Sequence, residues 1–238
     1  MTLPIKKIYV DSRFSTPDSV SNTNFRIQLN RTIFLPKNTV FYIENFVCSR
    51  SFYTIETGIN DSLYMKINNN FYIIKIQTAN YNGTTFAAQL QTQLNAILSI
   101  FTVVFNVNQN NLTISCTNPN TFYIYTYADL ATKVNNTWTG TSYTASSPYS
   151  CNDILNSTFT ISPQFNSTNP YTSGALEMLA FRNLYLTSPN LSSYSTMGAR
   201  GEMNIIKKIP VSSDFGYLII DSFTSTHDWL DGSGLTFK

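Results

Sequence analysis

The chain has 238 residues, with 15 Lys and Arg against 13 Asp and Glu, for a net charge of +2. Only 12% of residues are charged, and 26 Ser, 30 Thr and 27 Asn take the place of the missing charge. At 42% hydrophobic and 14% aromatic it is too apolar for a disordered chain. It is also too nearly neutral to grip nucleic acid through its phosphates, because Lys6-Lys7 and Lys207-Lys208 are the only basic pairs.

No apolar run approaches the roughly 18 residues of a membrane helix. The opening MTLPIKKIYVDS has no apolar signal-peptide region. Cys48, Cys116 and Cys151 are odd in number and lack metal-like spacing, which predicts free thiols and a reducing compartment. The Asn-x-Ser/Thr sequons follow from composition and are read as unmodified. The length suits one all-β domain without disulfide or metal staples.

In chain order, residues 1–22 read as an N-terminal arm with one short apolar alternation at Ile5, Ile8 and Val10. Phe25, Ile27 and Leu29 alternate with Arg26 and Gln28 and predict a half-buried strand. After a Pro36-Lys37-Asn38 turn, Thr39 to Cys48 predicts another. Strands 62–67 and 71–76 flank Asn68-Asn69-Asn70, a hairpin signal. One helix is predicted, at 84–99. Phe86, Leu90, Leu94 and Ile97 recur at helical spacing, and Thr84 or Thr85 can cap it. A second hairpin follows, turning at 108–110, then a strand at 121–127.

From 133 to 173 the period fades. This stretch holds three prolines and predicts a long surface insertion, with one helical turn at Asn152 to Leu155. Strands are predicted again at 176–187, 202–209 and 216–222, with a short one at the end. Strands separated by turns predict an all-β fold, an antiparallel β-sandwich occupying 23–238 as a single domain.

The material for catalysis is thin. His227 is the only histidine, too few for a zinc or cupin-type centre. Glu44, Glu56, Glu177 and Glu202 are far apart in sequence, and no phosphate-binding glycine motif occurs. The expectation is a protein that is not an enzyme and needs no cofactor and no metal.

Three stretches carry a family resemblance. They are IYVDSRFSTPDSVSNTNFRIQLNRTIFLPKNTVFYIENFVCSRSFYTIETGINDSLYMKI, the Asn80-Tyr81-Asn82-Gly83 turn into the helix, and NLYLTSPNLSSYSTMGARGEMNIIKKIPVSSDFGYLIIDSF at 183–223. Together they resemble the penton (minor capsid) proteins of virophages, Polinton-like viruses and related large DNA viruses. The resemblance implies a single jelly-roll vertex protein, a homopentamer surrounded by double jelly-roll major capsid proteins. It implies a place in the virion, with assembly in the host cytoplasm.

A ring needs charged side chains that reach a neighbouring subunit. The candidates are Arg13 in the arm, Arg200 and Glu202 around Gly201, and Lys207 and Lys208 on the following strand. The alternative is a receptor- or glycan-binding attachment module, since 133–173 carries Trp138, Tyr143 and Tyr149. A fibre or host receptor on the vertex is compatible with either reading.

Overall fold

A computed structural model describes residues 6–132, 137–138, 141–142, 150–192, 201, 203–222 and 229–237. Within them the chain is mostly β, with antiparallel ladders and little helix. In chain order the strands begin with β1 (Ile33–Phe34), β2 (Val40–Phe41), β3 (Asn45–Ser49), β4 (Ser62–Ile67) and β5 (Asn70–Lys75). Helix α1 (Gly83–Ile97) leads into β6 (Phe101–Asn106), β7 (Asn111–Cys116) and β8 (Phe122–Ile124). Then come α2 (Tyr127–Thr132), β9 (Thr137–Trp138), β10 (Thr141–Ser142), α3 (Asn152–Leu155) and β11 (Tyr171–Thr172). The chain closes with β12 (Asn183–Thr187), β13 (Ile205–Pro210), β14 (Leu218–Ser222), β15 (Leu230–Asp231) and β16 (Thr236–Phe237).

The pairing is nested. β1 pairs with β16, β2 with β15, β3 with β14, and β12 with β13. The first strand thus meets the last, the second the second last and the third the third last, while β12 and β13 pair as a hairpin. The long middle segment forms its own sheets, β5-β4-β8 and β11-β7-β6, with β9 paired to β10.

Two compact units result. One gathers the described parts of Met1–Phe46, Tyr185–Ile209 and Ile220–Lys238, and the other Val47–Leu184 and Pro210–Ile219.

The second unit holds the main core. Its hairpin β4–β5 turns through Asn68-Asn69, and Asn68 takes a left-handed φ of 51° that asparagine tolerates. Helix α1 buries Phe86, Leu90 and Leu94 on one face. Its cap is Asn82 rather than Thr84 or Thr85. Asn82 accepts from the Thr85 amide at 2.9 Å, and the Thr85 hydroxyl accepts from the Asn82 amide at 3.0 Å, a reciprocal capping box. The helix also covers the free edge of β6. Gln91 accepts from the Val103 amide at 2.7 Å, while Asn95 accepts from the Phe101 amide at 2.9 Å and donates to the Phe101 carbonyl at 3.0 Å. These i, i+4 amides satisfy backbone groups that an uncovered edge would offer to another chain.

The expected surface insertion needs correcting. Within 150–173, Cys151, Ile154, Leu155, Phe165 and Tyr171 are buried in the main core. Phe165 and Tyr171 meet edge-to-face at 5.2 Å, and Phe165 packs on Phe122 at 5.5 Å. The segment lacks a period because single turns and bridges carry it. Each aromatic fills its own gap, and no face repeats. The helical turn α3 falls where expected, whereas most of 133–149 lies outside the described residues.

The predicted strand at 176–187 is ordered as β12 only from Asn183. Before it, the Leu176 amide donates to the Asn110 carbonyl and the Glu177 amide to the Ile154 carbonyl. Neighbouring residues therefore bond to different elements, and no ladder forms. The predicted strand 121–127 stops at Ile124, where Thr126 and Asp129 open α2.

The first unit is thinly cored. Among its described residues the buried apolar side chains are Ile209 and Leu230. Aromatic pairs help close it: Phe41 meets Phe237 at 6.5 Å and Tyr42 meets Trp229 at 5.5 Å. Phe25 to Leu29 alternates half-buried with exposed, as the period predicts, yet it is not part of any ladder. Its backbone is held locally instead, the Thr16 amide donating to the Arg26 carbonyl at 2.9 Å. The arm's fold-back therefore reaches Arg26, beyond the expected limit at residue 22.

Candidate functional site

The charged residues expected to face a neighbour are placed in different ways. Arg13 sits in a 3-10 turn, Ser12–Phe14, capped by Asp11. Its Nε and Nη2 grip the Asp11 carboxylate at 2.9 and 2.5 Å, in an exposed setting. That grip pulls the Asp11 carboxyl below its usual range.

Lys207 points inward. Its side chain is 5% exposed, and Nζ lies 2.7 Å from Asp221 Oδ2 and 3.1 Å from the Ile43 carbonyl oxygen. The Lys207 ammonium is satisfied within its own chain, so it does not reach across to a neighbour. Lys208, one residue on, is exposed, as the alternation of β13 requires. Arg200 and Glu202 lie outside the described residues, as do His227, Tyr143 and Tyr149, and nothing is described of the Trp138 side chain.

One cluster looks like catalytic machinery and was not foreseen. At the start of β4 the Ser62 Oγ lies 2.7 Å from Lys75 Nζ, and Nζ lies 3.2 and 3.1 Å from the two Asp61 oxygens. Ser62 and Lys75 are direct cross-strand partners. A serine–lysine nucleophile needs a lysine able to take the serine proton. Here Nζ donates to both Asp61 and Ser62, while the Ser62 hydroxyl donates to Asp61 Oδ1 at 2.9 Å. Every proton is already committed, and Ser62 is 1% exposed. The trio joins the two ends of the hairpin. Beside it the Cys151 thiol donates to the Asn60 carbonyl, and burial pushes that thiol far above its ordinary value.

A shallow groove of about 330 Å³ lies between α1 and β6. Thr84, Ala87, Ala88 and Gln91 line one side, and Val103 to Phe105 the other. None of these side chains ionises, so the groove holds no acid, base or charged ligand contact. Among the described residues no three His, Cys, Asp or Glu side chains gather as a metal site, and no helix is long and apolar enough to cross a membrane.

What remains is surface. In the arm, Tyr9 is 86% exposed, and Val10, Phe14 and Val20 are also open. Along β14, Leu218 and Ile220 are exposed on either side of buried Ile219, and Val47 on β3 is exposed as well.

The chain matches no protein-family model, no curated protein and no solved structure. The functional reading therefore rests on the residues and the topology alone.

Proposed function

We propose that this chain is a jelly-roll capsid subunit that forms the pentameric vertex of an icosahedral double-stranded DNA virus. The observation that carries the reading is the nested pairing β1–β16, β2–β15 and β3–β14. A long antiparallel ribbon whose two chain ends run side by side, rolled upon itself, is the topology of a jelly roll. The segment between the innermost pairs carries its own core.

Three further observations support it. The exposed apolar arm and the open side chains of β3 and β14 suit a subunit whose surfaces are covered by its neighbours. A closed ring needs two different surfaces on each subunit, and the arm and β14 supply two candidates. The Ser62 cluster, the nearest thing to an active site among the described residues, has its hydrogen bonds committed internally. In this reading the partners are four further copies and a double jelly-roll major capsid protein, and the protein resides in the virion.

Light scattering on the protein across a concentration series tests the proposal. A mass approaching five chains at high concentration is expected. A strict monomer at every concentration, or a closed dimer, contradicts it.

A further inference from the structure

Lys207 and Asp221 form an ion pair unlike the others. Six such pairs occur among the described residues, and in five of them the cationic side chain is at least half exposed. The side chain of Lys207 is 5% exposed and that of Asp221 21%. A charge pair so far out of water is costly to keep ionised unless hydrogen bonds complete it. Here they do not. Asp221 Oδ2, buried and 2.7 Å from Lys207 Nζ, accepts no hydrogen bond. Lys75 and Asp61 provide the contrast. There Nζ lies 3.1 Å from Asp61 Oδ2 and donates to both carboxylate oxygens. Lys207 comes closer to its acid without the alignment of a donor, and its hydrogen bond goes to the Ile43 carbonyl at 3.1 Å.

The strands hold this approach in place. Alternation sets Lys207 of β13 on the face that buries Ile209, and Asp221 of β14 on the face that buries Ile219. With a C–O bond of about 1.2 Å, Nζ lies within about 4 Å of the carboxyl carbon Cγ. A desolvated lysine amine is a nucleophile once a proton is taken from it. Fixed geometry replaces a chance encounter with the carboxyl.

We propose that Lys207 and Asp221 condense to an isopeptide bond, a covalent cross-link between β13 and β14. The Lys207 ammonium passes one proton to Asp221 Oδ2, which leaves a neutral amine facing a neutral carboxyl. The amine attacks Cγ and the Cγ–Oδ2 bond breaks. Oδ2 departs as water, carrying the transferred proton and a second one from Nζ. The product is an amide between Nζ and Cγ, formed without an oxidant or a cofactor. The last Nζ–H keeps the Ile43 carbonyl as its acceptor, and two charges are removed from a dry site. The cross-link requires neither a ring nor a jelly roll, because all three groups belong to one unit of one chain.

Intact-mass spectrometry of the purified, then denatured, protein tests it. Wild type should be lighter than its sequence mass by one water, and Lys207→Arg should show its full mass. With Lys207 amidated, trypsin cuts this region only after Arg200 and Lys208, so peptides 201–208 and 209–238 should appear joined. Fragmentation of the joined pair should place the link at Lys207 and Asp221. Should Lys207→Arg fail to fold, the wild-type peptides decide alone. Wild type at its full mass, with the two peptides separate, overturns the proposal. So does a water lost from wild type and variant alike, which places the dehydration elsewhere.

Discussion

At the scale of single residues, buried tyrosines give the protein an alkaline limit. Desolvation, with the Asp129 carboxylate adding to it, pushes Tyr125 up to about 12. Burial does the same to Tyr171. The fold favours the neutral phenol, so this stability is complete below the ordinary value of 10 and is lost as pH rises towards 12. Tm should therefore fall across that window, and Tyr171→Phe should flatten the fall. A slope equal to that of the wild type would show that Tyr171 ionises freely in the fold.

The cysteines should separate in the same way. Burial raises all three thiols, and Cys48 is the one that is only half-buried. Alkylation of the native protein with iodoacetamide, followed by mass spectrometry, should label Cys48 first. Cys116 and Cys151 should react only on unfolding. Gly174 is closely packed against backbone. A Cβ there would sit 2.1 Å from the Asn156 carbonyl oxygen, a backbone atom next to the end of α3. Gly174→Ala should destabilise by about 1–3 kcal/mol, read from chemical denaturation.

At the scale of elements, much was legible. The helix shows its apolar period, and the structure buries Phe86, Leu90 and Leu94 as that period requires. Both Asn-rich hairpins are present. The register of the first was not legible. A three-residue turn at 68–70 sets Ser62 against Ile76, whereas the real turn, Asn68-Asn69, sets Ser62 against Lys75. One residue of slip changes every cross-strand pair, so the Ser62–Lys75–Asp61 cluster was invisible. Phe25 to Leu29 shows a different limit, because alternation reports a half-buried face and not a ladder partner. The 151–171 segment shows a third, since aromatics that plug separate gaps leave no period to read.

The helix that covers β6 gives a prediction at this scale. Gln91→Ala would strip the Val103 amide of its acceptor, and Asn95→Ala would strip both Phe101 backbone groups. Each should cost about 1–3 kcal/mol if the freed groups stay dry. Asn82→Ala, which removes the helix cap, should cost about 1 kcal/mol. Deleting 150–173 should abolish folding, since five core side chains leave with it. A folded, cooperative deletion variant would place that segment outside the core.

At the scale of the whole molecule, two features combine. The nested pairing brings the chain ends together strand by strand, and the apolar residues of the arm and of β14 are left open. In the proposed ring, the low charge means that contacts between copies would rest on apolar, Asn, Ser and Thr side chains. Of the charged residues expected at a ring contact, Lys207 is turned inward, and Arg13 is exposed and holds Asp11 of its own chain. Tyr9→Ser with Phe14→Ser should weaken assembly without lowering the Tm of the monomer, because both side chains are solvent-exposed. A large drop in monomer Tm would show instead that the arm supports its own subunit.

The central claim is a jelly-roll subunit that closes into a fivefold ring. Electron-microscopy class averages of the concentrated protein test it most directly. Rings of five subunits with a central axis are expected. Averages showing isolated subunits, or twofold particles at every concentration, would contradict it.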